Sequence, residues 1–342
     1  MKRFFLALAV LCLAACTSSS GSTTSAPEPT STTTTAPGSG PAVPSAGCGT
    51  STEKATDADR RTLTVDGEER WYLLTTPPAH DGKEPLPLVL DFHGLAEGAA
   101  AHTAMSDMGT LAKKEGFVVA FPNGTGQPVR WDLDPKSPDL TFIDTLLDTL
   151  GDDLCIDTSR VYASGLSFGA LLSSYLACER ADRFAAVAPV AGITVFDDDC
   201  TPSRPVPVVA FHGTADKILR FNGGVGAIPG ISKPEATTTP TTRAATDLDG
   251  PGYPEAVKKW AARNGCEPTP TDTDVTEEVV KRVYTCPAGQ NVEFFIVEGG
   301  GHAWPGSKFS EAVAKAVGYT TMDINATEEA WKFFQRFQLP PS

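Results

Sequence analysis

The chain has 342 residues, with 28 Lys and Arg against 42 Asp and Glu, a formal charge of −14. No cluster of Lys or Arg stands out, which argues against nucleic-acid binding and against a footprint on anionic lipid. Eight cysteines without a Cys-x-x-Cys pair argue against zinc, and neither a metal nor a cofactor is expected.

The N-terminus reads as an export signal. Lys2 and Arg3 precede an apolar run over residues 4–13, followed by Leu13-Ala14-Ala15-Cys16. The run is too short to span a bilayer, which needs about 20 apolar residues. The Leu-Ala-Ala-Cys ending resembles the bacterial lipobox and implies a signal peptide over residues 1–15 and lipidation at Cys16. Residues 16–47 are nearly all Ser, Thr, Pro, Gly and Ala. They read as a disordered tether with a mean reach of roughly 30 Å. The remaining segment, residues 48–342, suits one large domain.

Within that segment, residues 63–65 and 70–75 flank Asp66-Gly67, a hairpin signal. Residues 86–92 form an apolar run ending at His93-Gly94, as expected of a strand buried on both faces of a parallel sheet. A helix is predicted over 101–115, a strand over 117–121 and a helix over 140–150. A strand over 160–164, a helix over 170–178 and strands over 184–190, 206–211 and 292–297 follow. Asn325, with Glu328 three residues on, is placed to cap a C-terminal helix. The alternation predicts an α/β fold with a mostly parallel sheet covered on both faces. Residues 222–252, rich in Gly, Pro and Thr, read as an insertion at the lip of a cleft.

Gly165-Leu166-Ser167-Phe168-Gly169 is a Gly-x-Ser-x-Gly sequence placed between a predicted strand and a predicted helix. Such an elbow exposes the serine hydroxyl on a strained turn, making Ser167 the candidate nucleophile. A serine needs a base within hydrogen-bond reach. Of the five histidines, His80 and His102 read as surface residues, and His93 and His212 as turn-shaping residues at strand ends. His302 follows Gly299-Gly300-Gly301 after the last strand and is the candidate base. Asp216 lies between Ser167 and His302 in chain order and is the candidate orienting acid. Asp197, Asp198, Asp199, Asp247 and Asp249 are its rivals. The oxyanion hole is assigned to the N–H groups of Phe168 and Leu95, with Gly94 as fallback. Trp131 and Trp304 are candidates for the substrate cleft.

Several motifs together make the chain resemble the polyhydroxybutyrate depolymerase and feruloyl esterase family. They are Asp91-Phe92-His93-Gly94, the stretch from Ile156 to Tyr162 before the elbow, residues 184–192, Phe211-His212-Gly213-Thr214-Ala215-Asp216, and Gly300-Gly301-His302-Ala303-Trp304-Pro305-Gly306. The resemblance implies an α/β-hydrolase fold, ester hydrolysis and the triad Ser167, Asp216 and His302. It also supports a Cys266–Cys286 disulfide. Setting Cys12 and Cys16 aside, Cys48, Cys155, Cys178 and Cys200 are left without an assigned pairing. Leu95 and residues 222–252 depart from the family pattern, so the substrate does not carry over.

These readings converge on an exported serine esterase, lipid-anchored on the outer side of the cell membrane or released from it. It would act as a monomer on a small-molecule or polymeric ester, touching the membrane only through its lipid. A peptidase of the same fold and a non-catalytic surface binding protein are the alternatives.

Overall fold

The computed structural model describes residues 40–194, 200–228, 230–231 and 246–340, all within one compact unit. Asp66 and Gly67 take positive φ, 52° and 84°, and close the hairpin of β1 (Asp59–Val65) and β2 (Glu68–Thr75). After it come β3 (Leu86–Phe92), α1 (Ala99–Ser106), α2 (Met108–Glu115) and β4 (Val118–Pro122). Next are α3 (Pro138–Asp153), β5 (Ile156–Leu166), α4 (Phe168–Glu179), β6 (Ala186–Val190) and β7 (Val208–Gly213). The chain ends with α5 (Tyr253–Arg263), β8 (Thr271–Thr276), β9 (Val279–Tyr284), β10 (Val292–Val297), α6 (Lys308–Ala312), α7 (Ala314–Val317) and α8 (Ala326–Phe334).

The sheet order is β1-β2-β4-β3-β5-β6-β7-β10-β9-β8. The six strands from β4 to β10 run parallel, and an antiparallel hairpin flanks them on each side. Alternate residues of each central strand enter opposite layers, as a period of two requires. Leu88, Leu90 and Phe92 pack with Phe142, Ile143, Leu172 and Trp260 on the face covered by α3, α4 and α5. Val89, Val119, Phe211 and Phe295 pack with Met108, Leu111, Trp331 and Phe334 on the face covered by α1, α2 and α8. This two-sided burial is why the central strands read as unbroken apolar runs.

Three expectations are revised. The helix expected over 101–115 is two helices, broken where Asp107 turns left-handed at φ 52°. The exposed, Thr- and Asp-rich β8 was not foreseen; its acidic side chains suit an edge that must not pair further. The tether ends earlier than expected. Val43 N–H donates to Asp157 Oδ1 (2.9 Å), Ser45 N–H to Ile156 O (2.9 Å) and Gly47 N–H to Gly151 O (2.9 Å), so the domain begins by residue 40. Low apolar content left this stretch without a core of its own, but its backbone finds partners at the end of α3 and the start of β5. The signal peptide, Cys16 and the tether up to residue 39 lie outside the described residues. Cys48–Cys155, Cys178–Cys200 and Cys266–Cys286 form disulfides, the last as expected.

Candidate active site

Ser167 sits at φ 56° and ψ −113°, between β5 and α4, with its N–H donating to Val190 O at 2.9 Å. A non-glycine residue there is strained. The flanking glycines let β3 press against the elbow: a Cβ on Gly165 or Gly169 would fall 2.7 or 2.0 Å from Phe92 O. The turn therefore lies against the end of the strand that carries His93 and Gly94. Phe168 is the first residue of α4, so its N–H has no acceptor within the helix.

Asp216 follows β7 and His302 follows β10, both at the carboxyl edge of the parallel strands that also carries Ser167. His302 Nδ1 lies 2.7 Å from Asp216 Oδ2. The other carboxylate oxygen accepts from Ile218 N–H (2.7 Å) and Leu219 N–H (2.9 Å). Because a carboxylate only accepts, Nδ1 carries the proton and Nε2 keeps the lone pair a base needs. Both side chains are buried. Burial would raise the Asp216 carboxyl, yet hydrogen bonds from His212 and His302 outweigh it and hold the group below the usual carboxylate range. His212 is a member that sequence reasoning missed. Its Nε2 lies 3.3 Å from Asp216 Oδ2 and 2.8 Å from Leu219 O, tying the acid to its own turn. The His-Gly-Thr-Ala-Asp spacing, which places the two residues four apart, was the available signal. Ser167 Oγ and His302 make no direct hydrogen bond in this structure.

The loop after β3 holds His93 and Gly94. His93 Nε2 accepts from Gly124 N–H at 2.9 Å, so Nδ1 is protonated and donates to Gly94 O at 2.7 Å. Burial drives this histidine down to about 4, keeping it neutral in that tautomer. Gly94 N–H donates to Glu97 Oε2 at 2.6 Å, which removes the fallback oxyanion donor. Leu95 N–H donates to no group among the described residues.

Other candidates sit elsewhere than expected. Trp131 and Trp304 are each 1% exposed, and Trp131 borders a cavity of about 340 Å³ beside Arg130, Asp132 and Asp139. Trp131 Nε1–H donates to His93 O (2.9 Å) with its ring against His93, and Trp304 Nε1–H donates to Thr327 Oγ1 (2.9 Å). Each indole buries its apolar body and satisfies its one donor, supporting the site from behind. His80 is buried and its Nε2 accepts from Cys155 N–H at 3.1 Å, and His102 is wholly buried, so neither is a surface residue. Asp197, Asp198 and Asp199 lie outside the described residues. Asp247 N–H and Asn222 Oδ1 pair across the base of the insertion, and Asp249 meets Arg282 at 2.8 Å, so neither Asp pairs with His302. A cavity of about 540 Å³ lined by Val43, Ile156, Thr158 and Leu339 lies at the start of β5, on the opposite edge from Ser167.

The chain is 30% identical over 318 residues to "Putative esterase NocK" of Nocardia uniformis subsp. tsuyamanensis, covering 86% of this chain and 89% of that one. It is 26% identical over 280 residues to feruloyl esterase B of Piromyces equi, covering 79% of this chain. The chain belongs to the feruloyl esterase family. This family member spans only 46% of the length of the Piromyces protein. A solved acetyl xylan esterase from Aspergillus awamori superposes with a TM-score of 0.52 at 13% identity, over 75% of this chain and 98% of that one, a likeness of fold alone. The profile of the prolyl oligopeptidase family matches residues 104–203, a stretch of this feruloyl esterase family chain that runs from α1 past β6 and includes the elbow.

Proposed function

We propose that the protein is an exported serine esterase that cleaves carboxylic esters through an acyl-enzyme. The observation that carries this reading is the 2.7 Å contact between His302 Nδ1 and Asp216 Oδ2, on the same strand edge as the strained Ser167. In this scheme Ser167 Oγ attacks the ester carbonyl carbon while His302 Nε2 takes its proton. The oxyanion accepts from Phe168 N–H and Leu95 N–H. Collapse breaks the acyl–alcohol bond, and His302 returns the proton to the leaving alcohol. Water then repeats the attack on the acyl-serine, releasing the acid and restoring Ser167. Ionised Asp216 stabilises the imidazolium without taking the proton itself.

Three disulfides fit an oxidising compartment. Lipidation at Cys16, attachment to the outer side of the cell membrane or release from it, and a monomeric state complete the reading. Feruloyl, acetyl and hydroxyalkanoyl esters are the substrate classes to compare.

The test is hydrolysis of p-nitrophenyl esters by the purified protein and by Ser167→Ala. The variant should fold and lose turnover. Unchanged turnover in it would overturn the assignment of Ser167. An inactive wild type whose Ser167 resists a fluorophosphonate would favour a binding protein. Faster cleavage of peptidyl amides than of matched esters would favour a peptidase.

A further inference from the structure

Behind the loop after β3 lies a buried cluster of charge that the catalytic scheme does not use. His102, fully buried on α1, sits between two carboxylates: Nδ1 is 3.2 Å from Glu97 Oε1 and Nε2 is 3.1 Å from Asp91 Oδ1. The Asp91 contact is an ion contact without hydrogen-bond alignment, since Nε2 and both Asp91 oxygens lack hydrogen-bond partners among the described residues. Trp304 and Phe121 wall the imidazole with edge-on rings at 5.6 and 6.4 Å. With a carboxylate facing each nitrogen, the surroundings of His102 favour the imidazolium. Burial pulls its proton affinity down, but the two carboxylates more than compensate and raise it to about 10. Burying three ionisable groups together is costly, and a well-packed apolar set often serves stability as well or better. The cluster's position suggests what else it serves.

We propose that Glu97 is a positioning residue of the oxyanion hole, with buried His102 and Asp91 holding its carboxylate so that it fixes Gly94 and, through that residue, the direction of Leu95 N–H. This rests on the serine-esterase reading above. Glu97 Oε2 accepts from Gly94 N–H at 2.6 Å. On the far side of the same residue, Gly94 O accepts from His93 Nδ1–H at 2.7 Å and from Glu97 N–H at 3.3 Å. Gly94 is thus gripped at both its polar groups. A trans peptide sends its C=O and the following N–H to opposite sides. Leu95 N–H therefore points away from His93 and Glu97, and it is left free. Gly94 lies beside the nucleophile: a Cβ built on it would be 3.5 Å from Ser167 Cβ. Outside the loop, Ala96 N–H donates to Val129 O at 2.8 Å and closes the turn. A surface glutamate could leave Gly94 for water, but the Glu97 side chain is only 11% exposed and its second oxygen faces His102.

Two conservative variants separate reach from charge. Glu97→Gln keeps an oxygen for Gly94 N–H. Its amide N–H can donate to Nδ1 of a neutral His102, whose Nε2–H then faces the Asp91 carboxylate. Glu97→Asp keeps the charge but is one methylene too short to hold Gly94 N–H. In the full chain, kcat for p-nitrophenyl esters, normalised to titrated active sites, should stay within about threefold for Glu97→Gln. It should fall about tenfold to hundredfold for Glu97→Asp, with KM little changed. Affinity for a tetrahedral boronic acid should fall in step with kcat/KM, a signature that loss of folded protein alone does not produce. Wild-type kcat in Glu97→Asp, equal losses in both variants, or failure of both to fold would overturn the proposal. An inactive wild type would instead overturn the esterase reading on which it rests.

Discussion

Asp216 shows how a single side chain is set by its surroundings. One oxygen takes two backbone N–H groups and the other faces two histidines, so the carboxylate stays charged and fixes one tautomer of His302. Asp216→Asn keeps the shape but can place its amide N–H against Nδ1, favouring the wrong tautomer. Its kcat is expected to fall about ten-thousand-fold in steady-state assays with the fold intact. Ser167 carries a different signature. Its strained φ and ψ should cost about 1–3 kcal/mol, partly relieved in Ser167→Gly, where the extra freedom of the unfolded chain gives back about 0.5–1 kcal/mol. Thermal melting should place Ser167→Gly a few degrees above Ser167→Ala, both without turnover. Ser167, Asp216 and His302 were legible because each lies in a short motif at the end of a recognisable strand. His80 and His102 were misread because polar neighbours in the chain say nothing about the walls that later enclose them.

At the scale of elements, hydrophobic periodicity placed the central strands and α3, α4 and α8, while α5, α6 and α7 were not anticipated and element ends moved. The break between α1 and α2 lies at Asp107 itself, two residues before Gly109. Asp tolerates the left-handed conformation better than most residues, whereas a β-branched side chain does not. Asp107→Val should therefore cost about 1–2 kcal/mol and Asp107→Gly little or nothing, as read by melting temperature. The start of α8 was signalled by Asn325, whose Oδ1 accepts from Thr327 N–H (2.9 Å) and Glu328 N–H (3.2 Å). Asn325→Ala should lose about 1 kcal/mol, since it leaves those donors without the cap.

For the whole molecule, the disulfides and buried histidines set how stability responds to conditions. Cys48–Cys155 spans 107 residues and Cys266–Cys286 spans 20. On the chain-entropy account the first contributes about 4.7 kcal/mol and the second about 3 kcal/mol. Paired Cys→Ala variants should melt in that order, the Cys48/Cys155 pair lowest. His93 titrates near 4 when folded against 6.5 ordinarily, so the unfolded chain binds the extra proton between those values. Stability therefore falls as pH drops from 6.5 towards 4. His102 holds its proton up to about 10 when folded, so its contribution is complete below 6.5 and lost as pH rises towards 10. Melting temperature should peak near neutrality. Replacing His93 with Gln should flatten the acid limb, and replacing His102 the alkaline one.

The sequence alone determined the parallel α/β sheet, the elbow and the order Ser167, Asp216, His302, because periodicity and turn chemistry are written in neighbouring residues. It also marked Cys266 and Cys286 through the family resemblance. Only the tertiary structure decided that Trp131 and Trp304 are buried with their indole N–H groups paired, and that residues 40–47 pack against the domain. The same holds for His212 at Asp216 and for the Asp91, His102 and Glu97 cluster behind Gly94. Burial and charge pairing depend on which distant segments meet, and an unfolded string of residues carries no local mark of that meeting.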